Sequence, residues 1–191
     1  MKGIVIATSF IFLSACSSFQ NQTVSTDIQL PQQDCIGSTE LPAFLKDQFA
    51  PIDDEMLLQA TLGMPEKGML CQGQVYQSNT DSKVILYRAW NSTNPKSQFG
   101  SWWAFYEPSG LIAKYREDYE ICYQWSPLDK MVSCTLKAGT KVVVGNGQSA
   151  ECSQYLTYPV SAAQQVYLEQ ASDAVFNCQY FDGVMNWQAV Q

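Results

Sequence analysis

The stretch Lys83-Val84-Ile85-Leu86-Tyr87-Arg88-Ala89-Trp90 indicates the fold class most clearly, because it joins β-branched, aliphatic and aromatic residues in one short run. Such a run is typical of a strand that packs on a core. We therefore predict a strand here and a sheet built from segments of the same character. Those segments occupy residues 70–77, 101–106, 132–137, 140–144, 163–169 and 174–181.

The predicted helices lie mostly before these strands, at residues 41–49 and 53–62, with a further one at 109–119. Asp53 and Asp54 stand where an N-cap and a first-turn acid are favoured. The turn residues Gly145-Asn146-Gly147 are expected to follow a strand as a turn. Helices early and strands late predict an α+β domain, with N-terminal helices followed by a largely antiparallel sheet.

The composition limits the possible chemistry. The chain has 191 residues, of which 46% are hydrophobic and none is histidine. One folded domain is the simplest expectation at this length. The absence of histidine excludes Ser-His-Asp and Cys-His catalysis and imidazole metal sites. A formal net charge of -7 argues against a nucleic-acid partner, which requires a basic surface.

The N-terminus has the pattern of an export signal: Lys2 precedes an apolar run at residues 3–13 that is too short to span a bilayer. Its end, Leu13-Ser14-Ala15-Cys16, resembles the lipobox of bacterial lipoproteins. The resemblance implies cleavage after residues 1–15 and acylation of Cys16 with fatty acids such as palmitate. The alternative is an ordinary signal peptide with a chance cysteine.

The lipoprotein resemblance also predicts location and organisation. Ser17 follows the cysteine, which resembles the outer-membrane pattern and implies an envelope protein facing the periplasm or the cell surface. The membrane is then a partner through the lipid anchor. Residues 16–34 are polar and aperiodic and are expected to form the lipidated tether, while residues 35–191 form a single globular domain.

The other six cysteines predict disulfide bonds, because an even number in an exported chain suits an oxidising compartment. No Cys-x-x-Cys pair occurs, so we expect no metal site. Six cysteines allow fifteen pairings, and the connectivity stays open. These residues are Cys35, Cys71, Cys122, Cys134, Cys152 and Cys178.

Arg88 is the first candidate for a functional residue, because an arginine within an apolar strand is costly unless its charge is paired. Its guanidinium matches a phosphate or carboxylate bidentately. The alternative is that Arg88 faces solvent on the opposite side of the strand from Tyr87.

Three ordered motifs extend this hypothesis: Tyr87-Arg88, then Gly100-Ser101-Trp102-Trp103, then Gln165-Val166-Tyr167. Their order resembles the mono-ADP-ribosyltransferase fold of bacterial toxin domains. The resemblance implies NAD as a substrate and a protein as the acceptor. Tyr167 stands where that family has glutamate, so Glu169 is the substitute considered.

The implied NAD-binding residues are Tyr87, Arg88, Trp102 and Trp103, and the implied catalytic residues are Arg88, Ser101, Gln165 and Glu169. Two functions remain open. One is a lipid-anchored, secreted toxin-like domain that binds NAD and either transfers ADP-ribose or is an inactive relative. The alternative is a non-enzymatic outer-membrane lipoprotein for binding, adhesion or envelope assembly. The first requires Arg88, Ser101 and Gln165 or Glu169 to share one cleft.

Overall fold

Antiparallel strands form the framework of the computed structural model, which describes residues 34–80 and 83–190. The fold is α+β and disulfide-stabilised, as the sequence predicts. The strands are β1 (Phe49–Pro51), β2 (Leu70–Ser78), β3 (Ile85–Trp90), β4 (Trp102–Trp103), β5 (Lys130–Leu136), β6 (Lys141–Gly147), β7 (Ala150–Ser153), β8 (Leu156–Tyr158), β9 (Gln164–Tyr167), β10 (Val175–Asp182) and β11 (Gln188–Ala189).

The strands are divided between two main sheets and a hairpin. One sheet has the order β1-β2-β6-β9-β4, the second has the order β11-β10-β5-β3, and β7 pairs with β8. The main sheets meet where the backbone of Tyr87 in β3 exchanges two 2.9 Å hydrogen bonds with Ala104, just after β4. This junction brings Arg88 of β3 beside the segment that precedes and includes β4.

The helices are shorter than predicted. The described chain has α1 (Glu55–Gln59), α2 (Ile112–Asp118) and α3 (Ala171–Ala174), with 3-10 helices at Ala43–Gln48 and Pro95–Phe99. The helix predicted at residues 41–49 is a 3-10 helix in the structure, and the helix predicted at residues 53–62 is shortened to α1. Its N-cap is Asp54, whose carboxylate accepts a 3.1 Å hydrogen bond from the Leu57 amide.

The main hydrophobic core contains side chains from both sheets. Leu86 of β3 and Val132 of β5 lie in one buried cluster with Val142 and Val144 of β6. The intervening Val143 points to the opposite face of β6, where it packs with Leu70 and the side chains of α1. This alternation follows from the two-residue period of a strand. As a result, apolar side chains pack on both faces of the five-stranded sheet.

The prediction of a turn at residues 145–147 is wrong, because these residues continue β6. β6 is paired with β2 on one side and β9 on the other. The two glycines are needed because neighbouring atoms approach the backbone too closely for a side chain. A Cβ on Gly145 would lie 2.1 Å from the Gln72 carbonyl oxygen, and one on Gly147 would lie 1.8 Å from Glu120 Oε2.

All six predicted cysteines form disulfide bonds. Cys35–Cys71 ties the start of the domain to β2, and Cys122–Cys152 ties the segment after α2 to β7. The third bond, between Cys134 and Cys178, links the neighbouring strands β5 and β10.

The predicted signal peptide, Cys16 and nearly all of the tether lie outside the described residues. Within the described ranges, no helix is long and apolar enough to cross a membrane.

Removing the Cys134–Cys178 bond by the double substitution Cys134→Ala/Cys178→Ala is expected to lower the free energy of unfolding by about 4 kcal/mol, because the bond closes a loop of 44 residues. Urea denaturation of the two oxidised proteins measures the difference. The matched comparison is the same pair of proteins after reduction of all disulfides, where most of the difference should vanish. A loss below about 1 kcal/mol in the oxidised proteins would contradict the prediction.

Candidate functional site

A cavity of about 200 Å³ lies beside the junction of the two sheets, between β3, β4, α2 and the segment after α2. Its walls are strongly aromatic. Four of the five tryptophans of the chain line it, together with three tyrosines. These residues are Tyr87, Trp90, Trp102, Trp103, Tyr115, Tyr119 and Trp125.

Arg88 lines this cavity and carries its positive charge. Its Nε donates a 2.8 Å hydrogen bond to the Ser97 carbonyl, and its Nη1 donates to the Trp102 carbonyl. No carboxylate lies within ion-pair distance of the guanidinium in residues 34–80 and 83–190. Burial lowers the pKa of Arg88 to about 10, so it stays charged at neutral pH. The solvent-facing alternative is therefore wrong: the guanidinium lies at a cavity wall.

Gly100 provides the space for this guanidinium. A Cβ at position 100 would lie 2.4 Å from Arg88 Nη2. The φ of Gly100 is -66°, which any residue adopts, so the glycine is needed for space and not for backbone freedom. Two of the five N–H groups of Arg88 donate to carbonyls, which leaves three for another acceptor.

Glu120 lies on the cavity wall at the end of α2 and is 3% exposed. The helix closes with a Schellman pattern, in which the Ile121 amide donates 2.9 Å to the Arg116 carbonyl. The left-handed position of such a motif normally belongs to glycine, but here it is Glu120, with a φ of 46°. A glutamate is thus held in a costly conformation that turns its side chain inward.

The Glu120 carboxyl is buried and electrically neutral. Gln165 Nε2 donates a 2.7 Å hydrogen bond to Oε2, while Oε1 is buried without a hydrogen-bond partner in the described residues. Burial raises its pKa from 4.5 to about 9. The absence of a side chain at Gly147 makes room for this carboxyl. The Trp90 indole N–H is a second buried polar group of the cavity residues that finds no hydrogen-bond partner within residues 34–80 and 83–190.

Backbone strain is concentrated around this cavity. Of the six non-glycine residues with positive φ in the described chain, three line it: Met69, Glu120 and Leu128. Such conformations cost free energy and persist where the surrounding structure enforces them, which is characteristic of functional sites.

The segment after α2 is firmly held, so the cavity is preformed. Cys122 is disulfide-bonded to Cys152. The Arg116 guanidinium donates to the carbonyls of Ile121, Cys122 and Ser126, the last at 2.6 Å. These contacts fix the backbone on either side of the residues that face the cavity.

Five of the residues predicted from the toxin-domain resemblance line the cavity: Tyr87, Arg88, Trp102, Trp103 and Gln165. The lining does not include the other two predicted residues, Ser101 and Glu169. The Ser101 carbonyl accepts a 2.8 Å hydrogen bond from the Leu168 amide. Glu169 lies in an exposed turn, because β9 ends at Tyr167 and the two-residue period does not continue to position 169.

The sequence reasoning missed Glu120, Trp90, Tyr115, Tyr119 and Trp125. Glu120 follows two acidic residues, Glu117 and Asp118, whose pattern indicates a solvated helix end. Its position between Tyr119 and Ile121 was the available signal, since an acid flanked on both sides by residues that favour burial is itself drawn toward the interior.

Comparison of the chain with known family models, with curated proteins and with solved structures finds no match. Within the described ranges, no group of histidine, cysteine, aspartate or glutamate side chains is arranged to hold a metal ion.

The stability of the protein is expected to fall as pH rises from about 5 to 9. The folded state keeps a proton on Glu120 up to its pKa of about 9, whereas the unfolded state releases it near 4.5. The folded state thus binds more protons in this interval, and the free energy of unfolding decreases by up to about 1.4 kcal/mol per pH unit. Urea denaturation across this range measures the slope.

The Glu120→Gln variant is expected to lose this slope, because glutamine preserves the shape and does not titrate. Glu117→Gln, which removes an exposed carboxyl of α2, is the matched control and should keep it. The chain has no histidine, and its six domain cysteines are disulfide-bonded, so the interval is free of their titration. An unchanged slope in Glu120→Gln would show that Glu120 is ionised in the folded state.

Proposed function

We propose that the chain is an exported, lipid-anchored binding protein of the cell envelope, and that its aromatic cavity holds a small anionic ligand. The observation that carries this proposal is Arg88, a cation at the cavity wall with no carboxylate partner in the described chain. A charge withdrawn from water is unfavourable without an opposite charge. A ligand anion would supply that charge.

A binding role requires less of the cavity than catalysis does. The histidine-free chain offers no imidazole base. Glu120, the carboxyl of the cavity, is protonated at neutral pH because its pKa is about 9, so it does not act as a general base there. A preformed cavity with fixed aromatic walls is sufficient for recognition. This favours the non-enzymatic hypothesis in the form of a small-ligand binder.

The proposed location rests on two features. The sequence Leu13-Ser14-Ala15-Cys16 resembles a lipobox, and Ser17 fits the outer-membrane pattern. The three disulfide bonds suit an oxidising compartment such as the periplasm or the cell surface. The lipid on Cys16 would hold the domain at the membrane through the tether of residues 16–34.

NAD is a second candidate ligand, favoured by the shared cavity of Tyr87, Arg88, Trp102, Trp103 and Gln165. A volume of about 200 Å³ is below the ~300–1,000 Å³ of sites that enclose a drug-sized ligand. The cavity would therefore hold one ring of NAD, with the rest of the molecule outside. ADP-ribose transfer to a protein would be a further step. Glu169, the glutamate that the toxin-domain resemblance implies for it, is exposed and lies outside the cavity.

The Arg88→Ala variant is expected to bind anions at least about tenfold more weakly than the wild type, because a hydrogen bond to a charged group contributes about 1.5–3 kcal/mol. Tryptophan fluorescence of the full chain in detergent, titrated with benzoate, inorganic phosphate and NAD, measures the affinities. The emission should respond because four of the five tryptophans line the cavity.

Lys96→Ala is the matched control, since it removes an exposed positive charge in the Pro95–Phe99 helix next to the site. Its affinities should remain within about twofold of the wild type. The anion-binding proposal fails if none of the three probes binds at about 10 mM, or if Arg88→Ala binds them as the wild type does. Absence of NAD binding, with binding of another anion, removes only the NAD candidate.

A further inference from the structure

We propose that the ligand is a planar aromatic monocarboxylate, with its carboxylate on Arg88 and its ring against the tryptophan and tyrosine walls of the cavity. This inference rests on the proposed function and names the chemical class of its ligand.

The charge of the cavity selects a monoanion. Arg88 is the single cationic side chain among the lining residues, and Glu120 on the wall is neutral. A phosphate dianion would leave one negative charge uncompensated in an apolar environment, which is unfavourable. A carboxylate carries one charge, and the fork of a guanidinium matches its two oxygens.

The hydrogen-bonding state of Arg88 also suits a carboxylate. Nε is committed to the Ser97 carbonyl and one Nη1 hydrogen to the Trp102 carbonyl. The remaining hydrogens are on Nη1 and Nη2, the pair that meets a carboxylate end-on. The two carbonyl contacts hold the guanidinium plane in place before a ligand arrives, which lowers the entropic cost of binding.

The walls select a flat apolar body. Tyr115 and Tyr119 lie with ring centroids 4.5 Å apart, and Trp102 packs edge-on against Tyr167 at 5.0 Å. These rings are held by their neighbours and present fixed surfaces. Aromatic rings prefer offset-stacked or edge-to-face partners, so a planar ring gains more here than a puckered aliphatic one. The cavity of about 200 Å³ suits a single ring with its carboxylate.

Four probes separate charge from planarity in calorimetric titrations of the full chain in detergent. Benzoate carries both properties, benzamide has the same ring without the charge, cyclohexanecarboxylate has the charge without the aromatic ring, and inorganic phosphate is the multivalent anion. Benzoate is expected to bind at least about tenfold more tightly than each of the other three.

Two variants assign the selectivity to Arg88. Arg88→Ala should remove the preference for benzoate over benzamide, while Lys96→Ala should keep it. Gly100→Ala retains the charge but displaces the guanidinium, because the new methyl group would lie 2.4 Å from Nη2. It should weaken benzoate binding about tenfold and leave benzamide binding nearly unchanged. Gly100→Ala also serves as the test if Arg88→Ala does not fold, which thermal denaturation reveals.

The outcomes distinguish this inference from the function on which it rests. Equal binding of benzoate and benzamide, or of benzoate and cyclohexanecarboxylate, overturns the aromatic carboxylate. Tighter binding of phosphate than of benzoate in these titrations, or of NAD than of benzoate in the fluorescence titration, overturns it too if that binding is lost in Arg88→Ala, but it leaves the anion-binding proposal standing. No binding of any probe overturns both.

Discussion

The cavity and the junction of the two sheets depend on the hydrogen bonds of the Arg88 guanidinium. It donates to the carbonyls of Ser97 and Trp102, on the segment that leaves β3 and returns as β4. The same junction holds the two sheets together through the backbone pairing of Tyr87 with Ala104. A charge is therefore placed where the sheets meet, and Gly100 has no side chain so that the charge fits. The neutral hydrogen bonds keep it in position, but they do not neutralise it.

A second constraint acts on another residue of the cavity wall. Glu120 is forced into a left-handed conformation, faces the space left by Gly147 and receives a hydrogen bond from Gln165. Burial keeps it protonated, so the cavity combines one cation with one neutral acid instead of an ion pair. Both arrangements are unfavourable in isolation. The large core between the sheets and the Cys122–Cys152 bond compensate for them, since a strained site persists only when its surroundings enforce it.

The sequence predicted β2, β3 and β10 well, because aliphatic and aromatic residues recur along each of these strands. It failed at residues 145–147, where two glycines close together suggested a turn locally, but pairing on both sides keeps them in β6. It also extended the strand at residue 163 as far as Glu169, although β9 ends at Tyr167. For the site, the sequence motifs singled out Arg88 with Tyr87, Trp102 and Trp103, but not the other aromatic residues of the cavity. Glu120 was not found, because its burial depends on segments far away in the chain.

The sequence by itself determined the α+β class, the disulfide-bonded state of six cysteines and the exclusion of imidazole chemistry. These properties follow from local pattern and residue counts, which need no three-dimensional information. Only the tertiary structure decided which cysteines pair, that no carboxylate of the described residues lies beside Arg88, and that Glu120 and Gln165 meet across 45 positions of sequence. The reason is physical: burial and charge pairing depend on which distant segments pack together. The local sequence of one segment does not specify which segments will contact it in the fold.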